Sequence, residues 1–414
     1  MEKIGKKAKK ASLHLTKINI KKKNEVLKLF SKYLRVNSNL ILRANKKDIL
    51  NAQSKKIGES IIQRLKLDKK KIKQIINSIE QIIKFKDPTG KTLSSWKRPN
   101  GLIIKKVSIP IGVIGVIYES RPNVTSDVSS LCFKSGNVVI LRGGSEAFYS
   151  NKILSNLFRK ALKNKKCNEN CIQFIDDTNR KHVDYFLSNM KKYVDVIIPR
   201  GGKSLVKKVL KKSAISIIGH YEGICHVYVD READLNMAIK VTKNSKMRNV
   251  SICGAAETLL IDKMCLKTHC APILNELAKM GCKIIGDKTI KNFISSKIKI
   301  ATEKDWKTEY LESIISVKSV NGVKEAINHI NKYGSSHTDS IVTKNKKTAK
   351  IFLSNTNSAI ALHNASTQFA DGGEFGFGAE VGISTSKLHP RGPIGLDQLT
   401  TYKYILEGKG QIRK

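Results

Sequence analysis

The feature that most constrains the fold is a regular alternation of apolar, β-branched runs with helix-forming runs. Residues 107–118 are strand-like, 124–134 are helix-like and 137–141 form a short apolar run, and the alternation continues to residue 198. Short apolar runs separated by helical periods indicate βα units, whose strands pair in parallel with helices on both faces. The sequence therefore predicts an α/β fold built on a parallel sheet.

Two of these predicted strands run directly into a Gly-Gly turn that precedes a predicted helix. The turns are 142–145 (Arg-Gly-Gly-Ser) and 199–202 (Pro-Arg-Gly-Gly). Glycine lets the backbone approach a ligand closely, and the N-terminus of a helix favours a phosphate. Tight turns with no ligand are an equal alternative, because the sequence lacks the Gly-x-Gly-x-x-Gly dinucleotide fingerprint.

Both ends of the chain lie outside this alternation, which restarts in the middle. Residues 1–86 carry Ile and Leu at three- and four-residue spacing, which predicts helices. After Gly219 a second series of strand- and helix-like runs ends near Ala361, which predicts a second α/β domain. The tail 399–413 is β-like and amphipathic, so we expect it to add an edge strand to a partner chain.

Cys253 is the strongest candidate for a reactive side chain. It stands among small residues between a helical run, 233–247, and a strand-like run, 258–261. Small neighbours let a flat acyl group reach the thiolate at about 3–3.5 Å, as nucleophilic attack requires. The alternative is a small buried hydrophobe, the commoner role of a free cysteine. We expect no adjacent base to activate a hydroxyl placed at this position.

The large positive charge has two explanations, nucleic-acid binding or a general compositional bias toward lysine. The formal net charge is +43, yet Arg supplies only 13 of the 77 basic residues and aromatic residues make up 6%. A nucleic-acid surface favours Arg and interleaved aromatics, so a lysine-biased composition explains the charge better. The surplus positive charge would still attract anionic substrates.

Cysteine spacing and hydropathy indicate a reduced, cytoplasmic protein that does not enter a membrane. The eight cysteines are irregularly spaced, which suits free thiols better than a disulfide framework. Neither the pair Cys167 and Cys171 nor the group 265–270 has a second pair at zinc-site spacing, so we expect no metal. No apolar run reaches the length of a membrane span.

Several motifs together resemble the gamma-glutamyl phosphate reductase family, which belongs to the aldehyde dehydrogenase superfamily. They are Ile-Pro-Ile-Gly-Val-Ile-Gly-Val-Ile-Tyr-Glu-Ser-Arg-Pro-Asn-Val-Thr (109–125), Val-Ile-Leu-Arg-Gly-Gly-Ser-Glu (139–146), Ile-Ile-Pro-Arg-Gly-Gly (197–202), Ile-Cys-His-Val-Tyr-Val-Asp (224–230), Asn-Ala-Ser-Thr (364–367), Phe-Gly-Ala-Glu-Val (377–381) and Leu-His-Pro-Arg-Gly-Pro-Ile-Gly-Leu (388–396). The resemblance implies a modified Rossmann cofactor domain, an α/β catalytic domain and a small oligomerisation element. It also implies the NADPH-dependent conversion of L-glutamyl 5-phosphate to glutamate 5-semialdehyde in proline biosynthesis.

The resemblance implies roles for individual residues. Cys253 matches the nucleophile, and Asn123 matches an amide that hydrogen-bonds the developing oxyanion. The residues implied to contact NADPH are Arg142, Ser145, Gly201, Gly202 and Glu309. Among these, Arg142 would bind a 2′-phosphate through paired N–H donors, and Glu309 would lie near the nicotinamide ribose.

Three further residues are guesses for the substrate site, because they stand in loops beside the motifs. They are Arg121, Ser366 and Thr367. An ion pair within the protein is an equal alternative for Arg121.

The resemblance also implies domain limits and partners. The expected limits are 1–228 for the helices and the cofactor domain, 229–361 for the catalytic domain and 396–414 for oligomerisation. Residues 362–395 are expected to pack back near the cofactor domain. We expect a homo-oligomer, with glutamate 5-kinase supplying the acyl phosphate and with neither nucleic acid nor membrane as a partner.

The sequence departs from the family pattern beside Cys253, and one point of mechanism stays open. Asn249 stands where the family has Pro, and Gly254 stands where it has Asn. Oxidising aldehyde dehydrogenases carry a glutamate base that drives water onto the thioester. Segment 219–223 places no carboxylate clearly at that point, although Glu222 is near. A general NAD(P)-dependent aldehyde dehydrogenase is therefore the competing enzyme function.

Overall fold

The computed structural model describes residues 1–294 and 298–413, and helices and strands alternate along them. The α-helices are α1 (Glu2–Leu15), α2 (Ile20–Val36), α3 (Ser38–Ser54), α4 (Glu59–Leu65), α5 (Lys69–Lys84), α6 (Pro122–Lys134), α7 (Phe148–Asn164), α8 (Arg180–Asn189), α9 (Lys203–Lys212), α10 (Leu235–Met247), α11 (Ala271–Lys279), α12 (Lys288–Lys291), α13 (Glu303–Trp306), α14 (Gly322–Tyr333) and α15 (Lys346–Asn355). The strands are β1 (Thr92–Lys97), β2 (Ile103–Pro110), β3 (Val113–Tyr118), β4 (Val138–Gly143), β5 (Ile172–Phe174), β6 (Val196–Arg200), β7 (Ser216–Ile217), β8 (Cys225–Val229), β9 (Ala256–Asp262), β10 (Lys283–Gly286), β11 (Lys299–Ile300), β12 (Ile314–Val320), β13 (Thr338–Val342), β14 (Ile360–His363), β15 (Ile383–Ser384), β16 (Gly392–Pro393) and β17 (Thr400–Glu407).

The chain divides into two compact units. Unit 1 consists of Met1–Gly219, Gly376–Gly382 and Ile394–Lys414, and unit 2 consists of His220–Phe375 and Ile383–Pro393. The boundary expected at residue 228 is therefore wrong, because β8 belongs to unit 2. It lies between β9 and β13 and is hydrogen-bonded to both. Segment 362–395 is also divided between the two units instead of packing wholly with the cofactor domain.

The centre of unit 1 is a five-stranded parallel sheet with the strand order β5-β4-β3-β6-β7. Every residue of β3 and β4 is buried, as expected for parallel strands that are covered by helices on both faces. Ile114 pairs with Val139 on one side and with Val196 on the other. The predicted α/β fold is confirmed, and the carboxyl ends of β4, β3 and β6 meet at one edge.

The N-terminal helices of unit 1 form as the apolar spacing predicts. In α5 one face is buried throughout, and it consists of Ile72, Ile75, Ile76, Ile79 and Ile82. The side chains of Asn19 and Asp68 accept hydrogen bonds from backbone N–H groups in the first turns of α2 and α5, which satisfies donors that a helix start leaves unpaired. Among the described residues, no helix is long and apolar enough to cross a membrane.

The C-terminal strand joins a separate three-stranded antiparallel sheet with the order β1-β2-β17. The predicted strand in 399–413 is confirmed for Thr400–Glu407, which pairs with β2 and forms an edge of this sheet. Its pairing with a partner chain stays a prediction. Large apolar side chains remain exposed on this sheet, namely Leu93, Trp96, Tyr402, Tyr404 and Leu406. Their role in assembly stays a prediction.

Unit 2 is built on a seven-stranded sheet with the order β11-β10-β12-β9-β8-β13-β14. Every pairing in it is parallel, so β9, β8 and β13 are neighbours that run in the same direction. Their amino ends, and the loops that lead into them, therefore meet at one edge. Those loops contain the residues of the site described below.

Phe158 tests how strongly the helical layer stabilises unit 1. Its ring centroid lies 4.4 Å from that of Phe30 and 5.7 Å from that of Phe133, and all three side chains are fully buried. Phe158→Ala should lower the free energy of unfolding by about 3–5 kcal/mol, because it removes apolar contacts and leaves a cavity. Urea unfolding measures this, and Leu13→Ala, at a 67% exposed position, should change it by no more than about 0.5 kcal/mol. Equal effects would contradict the packing role.

Candidate active site

Cys253 lies in the short turn between α10 and β9, as the sequence predicts. All eight cysteines fall within the described residues and are free thiols, and Cys253 is half-buried whereas the other seven are buried. It is therefore the thiol with access to a ligand. The space beside it is tight, because a Cβ at Gly254 would lie 3.1 Å from the carbonyl oxygen of Thr367.

Two histidines lie beside the thiol. His220 precedes β8 and His337 immediately precedes β13, so the parallel order of β9, β8 and β13 brings both to Cys253. One ligand atom from each of the three residues lies within 4.8 Å of the other two, and the imidazole centroids are 4.9 Å apart. The expectation that no base adjoins position 253 is therefore wrong. The sequence around Cys253 did not show these two bases, because both come from distant parts of the chain.

Hydrogen bonds orient both imidazoles. His220 Nδ1 lies 2.9 Å from the carbonyl oxygen of Ile383, which can only accept, so Nδ1 carries a proton and donates it to this bond. His337 Nδ1 lies 2.8 Å from the hydroxyl of Thr338. Each ring thus has its Nδ1 engaged by the protein, and within the described residues the buried Nε2 of His337 has no hydrogen-bond partner.

The pKa of the Cys253 thiol lies well below its usual value. Burial raises the pKa, but attraction from His337 and hydrogen bonding from both His220 and His337 outweigh this effect. The neighbouring Cys225 shows the opposite behaviour, because burial raises the pKa of its thiol well above the usual value. Cys225 therefore keeps its proton and donates a hydrogen bond to the carbonyl oxygen of Cys253 at 3.1 Å.

Gly223 and Glu309 hold the turn that carries Cys253. A side chain at Gly223 would lie 2.7 Å from Cα of Cys253 and closer still to its carbonyl oxygen, so only glycine fits there. The N–H of Gly223 donates to Oε1 of Glu309 at 2.8 Å. Glu309, predicted from the family resemblance to lie near a ribose, is thus anchored to the segment that touches Cys253.

A buried ion pair supports the loop that carries Glu309. Lys246 Nζ lies 2.6 Å from Glu257 Oε2, and both side chains are fully buried. Burial raises the pKa of Glu257 to about 7 even though Lys246 favours the ionised form. The other carboxylate oxygen accepts the N–H of Leu311 at 3.1 Å. Leu311 has a φ of 54°, a strained value that this bond helps to maintain.

Ser366 and Thr367, two of the guessed substrate residues, lie in unit 2 but are almost fully buried. Ser245 Oγ lies 3.2 Å from Ser366 Oγ and accepts the N–H of Thr367 at 3.1 Å. Both residues therefore hold the end of α10, which leads into the Cys253 turn. Within the described ranges the hydroxyl oxygen of Thr367 has no hydrogen-bond partner in the protein. A substrate role for either residue stays a prediction.

Four of the five residues predicted to contact the cofactor lie at the carboxyl edge of the unit 1 sheet; the fifth, Glu309, lies in unit 2. Ser145, Gly201 and Gly202 are exposed there. The N–H of Gly202 donates to Oε2 of Glu119 at 2.8 Å, and burial raises the pKa of that carboxyl. This N–H at the start of α9 is therefore available to a phosphate only if Glu119 moves.

Arg142 lies within β4, not after it, and is mostly buried. Its guanidinium donates to the carbonyl oxygens of Gly143 and, at 3.1 Å, Thr178. Its Nε–H has no protein partner among the described residues. A buried cationic N–H without an acceptor, beside a Gly-Gly turn, fits a phosphate group.

Asn123 and Arg121 lie at the start of α6 in unit 1. Asn123 Nδ2 donates to Asp127 Oδ2 at 3.0 Å, which orients its amide. Burial raises the pKa of Asp127 to about 6. Arg121 is half-buried and precedes the first turn of the helix. The roles predicted for these two residues stay predictions.

Comparisons with known proteins agree on one family. The family model described as the aldehyde dehydrogenase family matches residues 1–293. Gamma-glutamyl phosphate reductase from Parvibaculum lavamentivorans is 49% identical over 413 residues, covering 100% of this chain and 97% of that protein. The same enzyme from Bartonella quintana is 46% identical and is covered completely.

Solved structures agree with these sequence relatives. The crystal structure of gamma-glutamyl phosphate reductase from Thermotoga maritima has a TM-score of 0.96 and 41% identity, covering 100% of this chain and 99% of that one. An acetylating aldehyde dehydrogenase from Geobacillus thermoglucosidasius has a TM-score of 0.70 at 16% identity, covering 100% of this chain and 97% of that one, and so shares the fold.

The lowered thiol pKa predicts how alkylation of Cys253 depends on pH. Iodoacetamide reacts with the thiolate, so its rate should fall only when the pH drops through the lowered pKa, well below the usual thiol range. In His337→Asn the inflection should move to higher pH, because one stabilising partner is lost. Mass spectrometry of the Cys253 peptide measures the rate, and His182→Asn, at a histidine of unit 1 that contacts Asp177, is the control. Identical profiles in all three proteins would refute this account.

Proposed function

Because the chain belongs to the gamma-glutamyl phosphate reductases of the aldehyde dehydrogenase family, we propose that it reduces L-glutamyl 5-phosphate to L-glutamate 5-semialdehyde with NADPH and releases phosphate. The observation that carries this proposal is a thiol of low pKa held by two imidazoles in a turn of small residues. This would be the second step of proline biosynthesis from glutamate.

The first half of the proposed reaction forms a thioester on Cys253. His220 or His337 holds the thiol proton at Nε2, and the thiolate attacks the acyl carbon of the substrate. The bond from the acyl carbon to the phosphate oxygen breaks, and phosphate leaves with the bonding electrons. Asn123 is proposed to donate its amide N–H to the acyl oxygen, where negative charge develops.

The second half reduces the thioester. NADPH, when bound, supplies the hydride. Arg142, Ser145, Gly201 and Gly202 are proposed to hold its phosphates and adenosine, and Glu309 its nicotinamide ribose. Cys253 then leaves as a thiolate while the semialdehyde forms, and the two histidines stabilise that thiolate.

Water is the competitor for the thioester. The segment that carries a glutamate base in oxidising relatives here places His220 beside the thiol, with Glu222 half-buried two residues on. We propose that Nε2 of His220 is committed to the sulfur and does not activate water. Turnover then requires phosphate as the acyl acceptor in the reverse direction.

The remaining parts of the proposal concern the setting of the reaction. Arg121, Ser366 and Thr367 are the proposed contacts to the substrate's amino and carboxylate groups. We place the enzyme in the cytoplasm, as a homo-oligomer supplied with acyl phosphate by glutamate 5-kinase. The eight free thiols suit a reducing compartment.

Phosphate dependence tests the mechanism. With NADP and semialdehyde but no phosphate, the enzyme should give at most one equivalent of NADPH and then stall, because the thioester has no acceptor. Phosphate should restart turnover, and arsenate should do so more persistently because its acyl ester hydrolyses. Cys253→Ala should show neither burst nor turnover, whereas Cys282→Ala should behave as the wild type. Steady phosphate-free turnover to glutamate would make the chain a general aldehyde dehydrogenase.

Cofactor choice tests Arg142. Arg142→Ala should weaken NADPH binding by about 1.5–3 kcal/mol, the range for hydrogen bonds to charged groups, and leave NADH binding little changed. Arg142→Lys should recover only part of the loss, because lysine lacks the planar fork. Fluorescence titration gives both affinities, and a thermal melt checks the fold, since Arg142 also binds two carbonyls. Equal losses for both cofactors would exclude 2′-phosphate recognition.

A further inference from the structure

We propose that His220, Cys253 and His337 form a reversible binding site for a thiophilic divalent cation of the Zn²⁺ type. Occupation of this site would inhibit the enzyme, because the metal takes the sulfur that attacks the substrate. Binding follows from the geometry alone, whereas the inhibition rests on the proposed role of Cys253.

The spacing of the three side chains is close to that of a tetrahedral site. Their ligand atoms all lie within 4.8 Å of one another. In a tetrahedral zinc site, bond lengths of about 2.0–2.3 Å put neighbouring ligand atoms about 3.3–3.6 Å apart. Small side-chain rotations therefore close the site, and the backbone need not move. Three protein ligands leave a fourth position open to water or to an anion.

The hydrogen bonds around the cluster are those that ligating histidines need. A metal-bound histidine usually donates its second ring N–H to a carbonyl, a carboxylate or water, which fixes the tautomer. His220 does so with the carbonyl oxygen of Ile383 at 2.9 Å, and His337 Nδ1 is engaged by Thr338 at 2.8 Å. These bonds hold both rings in place without any metal, and the buried Nε2 of His337 has no hydrogen-bond partner among the described residues.

The donor set selects the kind of cation. One sulfur and two imidazole nitrogens favour Zn²⁺ and similar ions over Mg²⁺ and Ca²⁺, which prefer oxygen ligands. Cys253 and His220 are half-buried, so an ion can reach them from solvent, while His337 forms the buried side. The metal bonds to the thiolate and to neutral imidazoles, so the proton that an imidazole holds is released to solvent and no oxidation state changes.

Cobalt provides a readout that does not depend on activity. The full-length chain without a polyhistidine extension is titrated with Co²⁺, and we expect a thiolate-to-cobalt charge-transfer band that one equivalent of Zn²⁺ removes. Cys253→Ser should abolish the band. His220→Gln and His337→Gln should each weaken binding at least about tenfold. Losing a residue that only supports a ligand already costs a metal site about that much affinity.

Matched controls and the activity assay separate the two proposals. His182→Gln and Cys282→Ser should retain the wild-type band, and thermal melts show that each variant is folded. Zn²⁺ should inhibit the reductase with the affinity measured by cobalt competition, EDTA should restore activity, and Mg²⁺ should have no effect. Absence of the band, its persistence in Cys253→Ser, or unchanged affinity in both histidine variants would overturn the metal site. The metal-free reductase assay reports on the proposed function independently.

Discussion

The cluster of Cys253 with two histidines depends on one feature of the unit 2 sheet, the position of β8 between β9 and β13. Parallel pairing brings three amino ends to the same edge, and with them one thiol and two imidazoles that are far apart in the sequence. Gly223 completes the arrangement, because the β8 loop lies against the backbone of Cys253 more closely than any side chain would allow. A different strand order would leave Cys253 an ordinary thiol.

The contrast between Cys253 and Cys225 shows which effect sets thiol reactivity here. Both are desolvated, and desolvation alone raises a thiol pKa. At Cys253 the two imidazoles outweigh desolvation and stabilise the thiolate, whereas the pKa of Cys225 stays raised although its Sγ lies 3.6 Å from His337 Nδ1. Cys225 stays protonated and donates a hydrogen bond to the carbonyl oxygen of Cys253. Two thiols in contact with one turn thus take opposite protonation states.

The candidate functional residues lie at the carboxyl ends of the strands in the unit 1 sheet and before the amino ends of the strands in the unit 2 sheet. The glycine turns and Arg142 of unit 1 lie at the carboxyl edge, where open α/β sheets usually bind ligands. The thiol of unit 2 lies before the amino ends of its strands. At the unit 1 edge, the carboxylate of Glu119 already caps the start of α9, which agrees with the preference of a helix N-terminus for negative charge.

The sequence by itself determined the βα alternation, the N-terminal helices, the C-terminal strand and the turn that holds Cys253, because all of these follow from local periodicity and small-residue spacing. It did not reveal His220 and His337 as partners of the thiol, because local pattern contains no information on strand order. Strand order brings His337 into one cluster with Cys253, 84 positions earlier in the chain, and with His220, 117 positions earlier. The unit boundary before β8 was missed for the same reason. Burial of Ser366, Thr367 and Arg142 was likewise decided by packing, which only the tertiary structure supplies.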